Sequence, residues 1–515
     1  MSAVEQFPDL PEPGRRELVQ LVGGRLHEYA VVAEQLVSAE VYVRGATLAR
    51  IGLPAELPSA ERQGIERNER QSVLISVSAE YLRRRLTELA DFQVYRRREK
   101  EWMSVDCPKD LAANIIGMGD WPNFRPLTAI ASAPFIRPDL TICDTPGYDA
   151  ATGVYLQPAY EFPTIPSEPT REDADAARAF LLEPFGEFPY AAPEHKAVFA
   201  AHVLTATVRV TLPTSPLFFY SAPTAATGKT LLARMPSFIT TGVDPALHPH
   251  TDDGEELRKV LFASLLAGDS TLVFDNVPNG MKIRSPVLCG FLTAPTFGDR
   301  RLGVSENRKL PNRVVVALTG NNITATGDAA RRSLVCRLDA NAESARGREF
   351  KIPNLVEHVT RLRPQLFAAA LTIVRAYIVA GCPRQAHALE SFENWSQLCR
   401  DPLMWLGMAN AVDSQEGETD EEIDVLRAAF KALATAYGPR EFTARDLADA
   451  MGPPAMGVRE ALASAGCSDP GDAIKVGYWL RAARDKVAAD LKLRSRSGHQ
   501  SIGTWRLTRM KSGGA

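Results

Sequence analysis

The chain has 515 residues, of which 45% are hydrophobic and 23% charged, with a formal net charge of −3. That length exceeds what one hydrophobic core organises and predicts two to four domains. The composition is that of a globular protein rather than a disordered or fibrous one, and the charge balance singles out no partner.

Seven cysteines stand singly, with no CxxC pair and no Cys/His spacing of a zinc site. Free thiols in a reducing cytoplasm are therefore expected. The N-terminus MSAVEQFPDLPEPGRRE lacks the form of a signal peptide, and no uninterrupted apolar stretch approaches the length of a membrane span.

In chain order, residues 1–70 are polar and read as a helical region of unassigned role, LVQLVGGRLHEYAVVAEQLV carrying helix-like spacing. Residues 71–165 combine the basic helix YLRRRLTELADF with strand-like QVYRRR and WMSVD, which predicts an α+β domain. It ends in the turn-rich PDLTICDTPGYDAATGVYL and the proline-rich QPAYEFPTIPSEPT. Within 166–410, the helical patterns REDADAARAFLLEPF and PEHKAVFAAHVLTATVRV lead into the strand PLFFYSA. Strand, loop, helix, strand, helix and strand then alternate as in a parallel α/β sheet. An acidic linker, AVDSQEGETDEEID at 411–424, precedes a small basic domain at 425–515.

The segment PTAATGKT, Pro223 to Thr230, sits between an apolar strand and an apolar helix, the context of a phosphate-binding loop. Cradling a triphosphate requires inward backbone N–H groups, a glycine at the close approach, a lysine and a hydroxyl for Mg2+. Gly228, Lys229 and Thr230 meet those needs. Thr224, Ala225, Ala226, Thr227, Gly228, Lys229, Thr230 and Leu231 are the expected ATP cradle, with ATP and Mg2+ the expected cofactors. Pro223 stands where the usual pattern has its first glycine, and GKT also occurs in ordinary turns.

Its neighbours support the reading. TLVFDN is a buried-type strand ending in Asp275, which with Thr230 would hold Mg2+. RVVVALTGNN ends in amides and places Asn321 as a sensor of the γ-phosphate and attacking water. DAARRSLVCRLD sets Arg331 and Arg332 before a fifth strand. There either arginine is a finger that offsets transition-state charge in a neighbouring subunit, or both form a solvated helix end.

Asn276 follows Asp275 where many such ATPases carry Glu, and an amide cannot accept a proton. Either Asn276 positions water while another carboxylate acts, or turnover is slow. Asp253, Glu255 and Glu256 are the candidates, and their alternative is a solvated first turn complementing the helix dipole.

The segment RRLGVSENRKLPNR predicts a β-hairpin that would present Arg300, Arg301, Arg308, Lys309 and Arg313 to a phosphate backbone, or to solvent. Near the C-terminus, helical patterns precede a strand pair, the outline of a winged helix. From residue 471 onward ten Lys/Arg face three Asp, a surplus of seven positive charges in a net-negative chain. That concentration points to nucleic acid, with Lys475, Arg481, Arg484, Arg494 and Arg496 as contacts.

The runs EELRK, LLAG, VFDN, LTAP, GDRRLG, LTGNN and ARRSLVCRLD together resemble the AAA+ helicase module of phage, prophage and plasmid replication proteins. These are relatives of superfamily 3 helicases and virus-type primase-helicases. Upstream, APFIRPD and PGYDAATG resemble the domain preceding that module, and YWLRAARDKV through GTWRL resembles its terminal winged helix.

The resemblance implies an α/β fold, a P-loop AAA+ core on a parallel sheet flanked by an N-terminal α+β region and a C-terminal winged helix. It further implies a homo-oligomeric ring, usually a hexamer, acting as an ATP-dependent DNA helicase that translocates on single-stranded DNA; separately, the basic C-terminal domain is expected to bind duplex DNA, and the lack of a long apolar stretch predicts no membrane partner. Lys229, Thr230, Asp275, Asn321 and the Arg331/Arg332 pair match the family's positions for phosphate, Mg2+, sensor and finger. Residues before 75 show neither an acidic triad nor zinc-binding cysteines, so a primase would be a separate protein. Two other readings are an origin-binding initiator or helicase loader without unwinding, and a nucleotide-regulated DNA-binding scaffold with little hydrolysis.

Overall fold

The computed structural model describes residues 16–69, 71–158, 160–224, 226–300, 307–340, 350–415, 421–450, 452–497 and 503–510. The chain divides into two units, residues 1–415 and 416–515.

The first unit is built around five strands: β1 (Leu217–Ala222), β2 (Ala246–Pro249), β3 (Thr271–Val277), β4 (Val315–Asn321) and β5 (Ser333–Arg337). They pair in parallel in the order β2-β3-β4-β1-β5. Every residue of β1 is buried, as expected of a strand covered on both faces by helices. The covering helices include Pro193–Val208, Lys229–Thr241 and Leu355–Val379, all contributing to one large core. Leu355–Val379 is long and apolar enough to cross a membrane by length and composition, and most of it is buried against the core.

Both edges of the sheet are closed. Along β2, Leu247 exchanges two backbone hydrogen bonds with Glu66, at 2.8 and 2.9 Å. Along β5, the Ser333 carbonyl accepts from Gln415 Nε2 at 2.6 Å, and the Val335 N–H donates to Ser414 Oγ at 3.1 Å. The Val335 carbonyl accepts from His195 Nδ1 at 2.8 Å, and the Arg337 carbonyl accepts from the Ala191 N–H at 3.0 Å. Residues 411–415 thus belong to the first unit. The acidic linker is correspondingly shorter than the sequence suggests.

The expected boundary at residue 70 is not found. Glu17–Leu21 is a strand, not helix, and pairs in parallel with Ala90–Arg96. Val41–Arg44 and Thr47–Gly52 form an antiparallel pair that extends to Arg125–Pro126 on one side and Val73–Ser76 on the other. Only Leu26–Val37 of the N-terminal pattern is a full helix. Residues on both sides of position 70 share one core, which includes Val19, Val37, Leu82, Phe92 and Trp121. These pairings join residues far apart in sequence, which local periodicity does not register.

This N-terminal domain is tied to the sheet by a buried ion pair. Arg67 makes two parallel hydrogen bonds to Asp269, each 2.8 Å, with side chains 2% and 0% exposed.

The second unit packs the helices Glu421–Tyr437, Ala444–Asp449, Pro453–Ser464 and Ala473–Ala483 with a four-stranded antiparallel sheet. Its long strands, Leu491–Ser497 and Gly503–Arg509, pair antiparallel, with Phe442–Thr443 and Val487–Ala488 at the two edges. The last helix ends at Ala483.

Asp269→Asn removes one charge of a buried pair and strands the other. It is expected to lower stability by about 3–5 kcal/mol. The double change Arg67→Met/Asp269→Leu should lose much less. Urea denaturation checks both; a loss below about 1 kcal/mol for Asp269→Asn would place the pair with exposed surface bridges.

Candidate functional site

In a parallel sheet all strands end at the same edge. The loop after β1 therefore meets the ends of β3 and β4. The loop turns through left-handed backbone at Ala226 (φ 62°) and Gly228 (φ 87°), and Gly228 is the N-cap of Lys229–Thr241. A Cβ on Gly228 would lie 2.9 Å from Cε1 of Phe188, so both the backbone angle and the neighbour demand glycine. Successive N–H groups in such a turn, opening onto a helix N-terminus, form a concavity suited to an anion. Ala225 lies outside the described residues.

Two loop hydroxyls, Thr224 Oγ1 and Thr227 Oγ1, are buried without a hydrogen-bond partner. Burying an unpaired polar atom costs about 1–3 kcal/mol unless a ligand supplies the partner. Lys229 is half-buried. Desolvation lowers its pKa, and the Asp275 carboxylate acts in the opposite direction. Leu231 is also half-buried, in the first turn of the helix.

Beneath the loop three side chains from three elements converge. Thr230 Oγ1 donates to Asp275 Oδ1 at 3.0 Å, Thr319 Oγ1 makes a short hydrogen bond to the same oxygen, and the two hydroxyls are 3.2 Å apart. The structure thus brings Thr230 and Asp275 together. Thr319 was missed in the sequence reading. The signal was available: along a strand, Thr319 and Asn321 point to the same face. Asn321 Oδ1 is buried without a partner. Next to it, Asn322 donates its backbone N–H to the Ala222 carbonyl at 3.0 Å and its Nδ2 to the Pro223 carbonyl at 3.5 Å. The start of the loop is therefore held by the end of β4.

Asn276 is exposed and left-handed (φ 56°), in a bulge between Phe274 and Val277 where the β3–β4 register shifts. Such a bulge re-aims a side chain out of the ladder. Of the three acids considered for water activation, Asp253 is a helix cap, accepting from the Glu255 N–H at 2.8 Å and the Glu256 N–H at 3.4 Å. Glu256 is 3.5 Å from Lys259, and Glu255 is exposed. The sequence did not point to His250. β2 ends at Pro249, opposite Asp275, so His250 follows at the level of Asn276, with its Nε2 3.1 Å from Asp252 Oδ1. An imidazole, unlike an amide, can accept a proton.

Arg331 and Arg332 lie elsewhere. They occupy the turn Ala330–Arg332, and the next residue, Ser333, pairs with Leu217 at the start of β1. They are therefore at the sheet edge opposite the loop, five residues or roughly 17 Å away along the strand. Both bind Asp328, whose carboxyl is held below its usual range by the hydrogen bond from Arg331. Arg331 is 64% exposed and Arg332 18%, so Arg331 is the one that faces outward.

The expected hairpin forms between Thr296–Arg300 and Asn307–Pro311. Arg301 lies outside the described residues, as do the side chains of Arg300 and Arg308, and Lys309 is exposed. The expected place of Arg313 on the hairpin is corrected: it follows the second strand, is half-buried, and donates Nη1 to the Asn312 carbonyl at 3.0 Å. Its position is set by the buried start of β4.

In the second unit, Val476, Gly477, Trp479, Leu480 and Ala483 turn the helix Ala473–Ala483 toward its core. The opposite face presents Lys475 and Arg481 together with Ile474 (69% exposed) and Tyr478 (65% exposed). The Arg481 guanidinium stacks over the Tyr478 ring at 4.7 Å. Ile474 and Tyr478 were not singled out from sequence, because exposed apolar side chains look like core until the inward face is fixed. Arg484 follows the helix, while Arg494 and Arg496 lie on Leu491–Ser497, where Arg494 is 3.2 Å from Asp485 and Arg496 3.8 Å from Glu441.

No protein-family model and no curated protein matches this chain. Among solved structures it is similar to the C-terminal region of NrS-1, residues 305–718, at 10% identity, covering 94% of this chain and 99% of that one with a TM-score of 0.40. It is similar to the SCCmec type IV Cch active helicase at 10% identity, over 78% of this chain and 83% of that one, TM-score 0.29. The JCV helicase matches at 14% identity over 46% of this chain and 68% of that one, TM-score 0.21.

Gly228→Ala should destabilise the first unit by about 1–2 kcal/mol through its left-handed backbone alone. Adding Phe188→Ala should relieve the steric contact and leave that backbone cost. Thermal unfolding of the single and double variants checks this, and full recovery in the double variant would refute the backbone argument.

Proposed function

We propose that this chain is an ATP-dependent DNA helicase that works as a ring of identical subunits and translocates on single-stranded DNA, in the replication of a phage, prophage or plasmid-type element. The observation that carries the reading is the convergence of Thr230, Asp275 and Thr319 beneath a left-handed, glycine-capped loop.

The residues present fit ATP and Mg2+. Thr224 and Thr227 have buried hydroxyls to donate to phosphate, Lys229 supplies a partly desolvated charge, and Asn321 Oδ1 can accept from the attacking water. Thr230 and Asp275 offer the hydroxyl and carboxylate that hold Mg2+, which when bound would neutralise charge on the β- and γ-phosphates. Asn276 orients water but does not deprotonate it. Arg331 cannot serve its own loop from the opposite edge, which supports a role at the loop of a neighbouring subunit and hence a ring. The hairpin Thr296–Pro311 and its basic residues are assigned to the single strand, and the second unit, read as a winged helix, to duplex DNA.

The amide at Asn276 also supports a second reading, a nucleotide-regulated DNA-binding scaffold with little hydrolysis. Phosphate release with and without single-stranded DNA separates the two. Lys229→Ala should abolish both ATP turnover and strand displacement, and retained unwinding would refute the assignment of this loop.

For the second unit, Ile474→Ala/Tyr478→Ala should weaken duplex binding roughly tenfold or more without altering its salt dependence, because apolar contacts to base edges release no counterions. Arg481→Ala should instead reduce the slope of log K against log salt by about 1. Fluorescence anisotropy across a salt series measures both, and equal slopes in all three proteins would count against phosphate contact by Arg481.

A further inference from the structure

Below the sheet, at the edge opposite the loop, three arginines converge on one cavity of about 60 Å³. Arg44 comes from the end of a strand in the N-terminal domain, Arg209 from just beyond the helix Pro193–Val208, and Arg313 from between the hairpin and β4. Arg44 and Arg209 are each only 3% exposed. Among the described residues, their hydrogen-bond acceptors are all neutral. Arg44 Nη1 donates to the Leu265 and Leu266 carbonyls, and Arg209 donates to the Val314, Leu212 and Asn312 carbonyls at 3.1, 2.6 and 3.0 Å and to Asn312 Oδ1 at 3.4 Å. Arg313 donates to the Asn312 carbonyl. Arg44 Nε and Arg313 Nε are buried without an acceptor.

The carboxylate lining this cavity, Asp269, already accepts from Nε and Nη2 of Arg67 and from Gln71 Nε2 at 3.1 Å. Among the described residues, no carboxylate lies within ion-pair distance of Arg44, Arg209 or Arg313. Desolvation lowers Arg44 to about 10, with Asp269 opposing, and Arg209 to about 9, with Arg313 adding to the fall. Both remain charged at neutral pH, so the cavity wall stays positive. Neutral carbonyls and water satisfy hydrogen bonds but do not cancel net charge, and a buried charge calls for a counter-ion.

We propose that this cavity binds a single tetrahedral oxyanion, of the phosphate or sulfate class, held by Arg44, Arg209 and Arg313. A water needs roughly 10–15 Å³ of such space, so the cavity admits roughly four to six water-sized groups, which suits a five-atom oxyanion and is too small for a nucleotide. Guanidinium forks match oxyanion geometry, which favours this class over halide. The site joins the N-terminal domain to the root of the hairpin. The same junction is tight elsewhere, since a Cβ on Gly45 would collide with the Lys309 carbonyl. Occupancy therefore fastens the hairpin's base to the N-terminal domain. This inference does not depend on the assignment of the loop after β1.

The test is thermal unfolding of the full chain in sodium sulfate or sodium phosphate against sodium chloride at constant ionic strength, for the native chain, Lys229→Ala, Arg313→Gln and Arg313→Lys. Oxyanion-specific stabilisation should persist in Lys229→Ala, weaken by roughly tenfold or more in apparent affinity in Arg313→Gln, and be partly kept in Arg313→Lys. Stabilisation lost in Lys229→Ala and kept in Arg313→Gln would assign the oxyanion to the loop and overturn the proposal, as would no preference for either oxyanion over chloride. If Arg313→Gln fails to fold, crystals of the native chain soaked in selenate decide: an anomalous peak among the three guanidinium groups supports the site, and its absence there refutes it.

Discussion

The arrangement depends on one constraint: five parallel strands buried on both faces must all end at the same edge. Side chains from sequence positions 230, 275 and 319 can then meet at a single carboxylate oxygen. None of the three segments could do this alone. The loop supplies backbone donors but no carboxylate, β3 supplies the carboxylate but no cradle, and β4, lying between them, contributes the hydroxyl that links the two. Because β3 neighbours β4 rather than β1, Asp275 stands one strand away from the loop strand, and Thr230 and Thr319 occupy that interval.

The same constraint sends other residues away. Any group just before a strand lies at the opposite edge from any group just after one. Arg331 and Arg332 precede β5, and Arg313 precedes β4, so all three belong to the far side from the loop. Their fates differ by burial. Arg331 projects into solvent beside Asp328, whereas Arg313 is half-buried and lines a cavity together with Arg44 and Arg209. A basic residue next to a hairpin in sequence is therefore not necessarily on its solvent face.

What was legible in the sequence follows the range of the forces involved. Four of the core strands and the loop were readable because each is announced locally, by an apolar run or by the Gly-Lys-Thr ending, whereas β2 is the short segment Ala-Leu-His-Pro and carries no such run. Asp275 was readable because it terminates such a run. In the N-terminal domain the helix Ala79–Leu89 and the strands Ala90–Arg96 and Glu101–Val105 lie where YLRRRLTELADF, QVYRRR and WMSVD suggested, whereas Glu17–Leu21 read as helix because its strand partner, Ala90–Arg96, is dozens of residues distant. His250, Ile474 and Tyr478 became visible only once neighbouring strands or inward helix faces were known. The bulge at Asn276 likewise requires the β3–β4 register, which no single strand encodes.

Closure of the sheet edges bears on how subunits could associate. An open edge strand invites another chain to add to the sheet through backbone hydrogen bonds. Here the backbone of β2 is engaged at Leu247 by Glu66, and that of β5 at Ser333, Val335 and Arg337 by Gln415, Ser414, His195 and Ala191. The His195 ring is held neutral by burial, which lowers its pKa, and it donates Nδ1–H to the Val335 carbonyl. These positions of both edges are occupied within one chain, so assembly there by sheet extension would first have to displace its own segments. Side-chain surfaces such as that bearing Arg331 are the cheaper route. An arginine exposed beside Asp328 leaves the backbone pairings of the chain's own sheet intact.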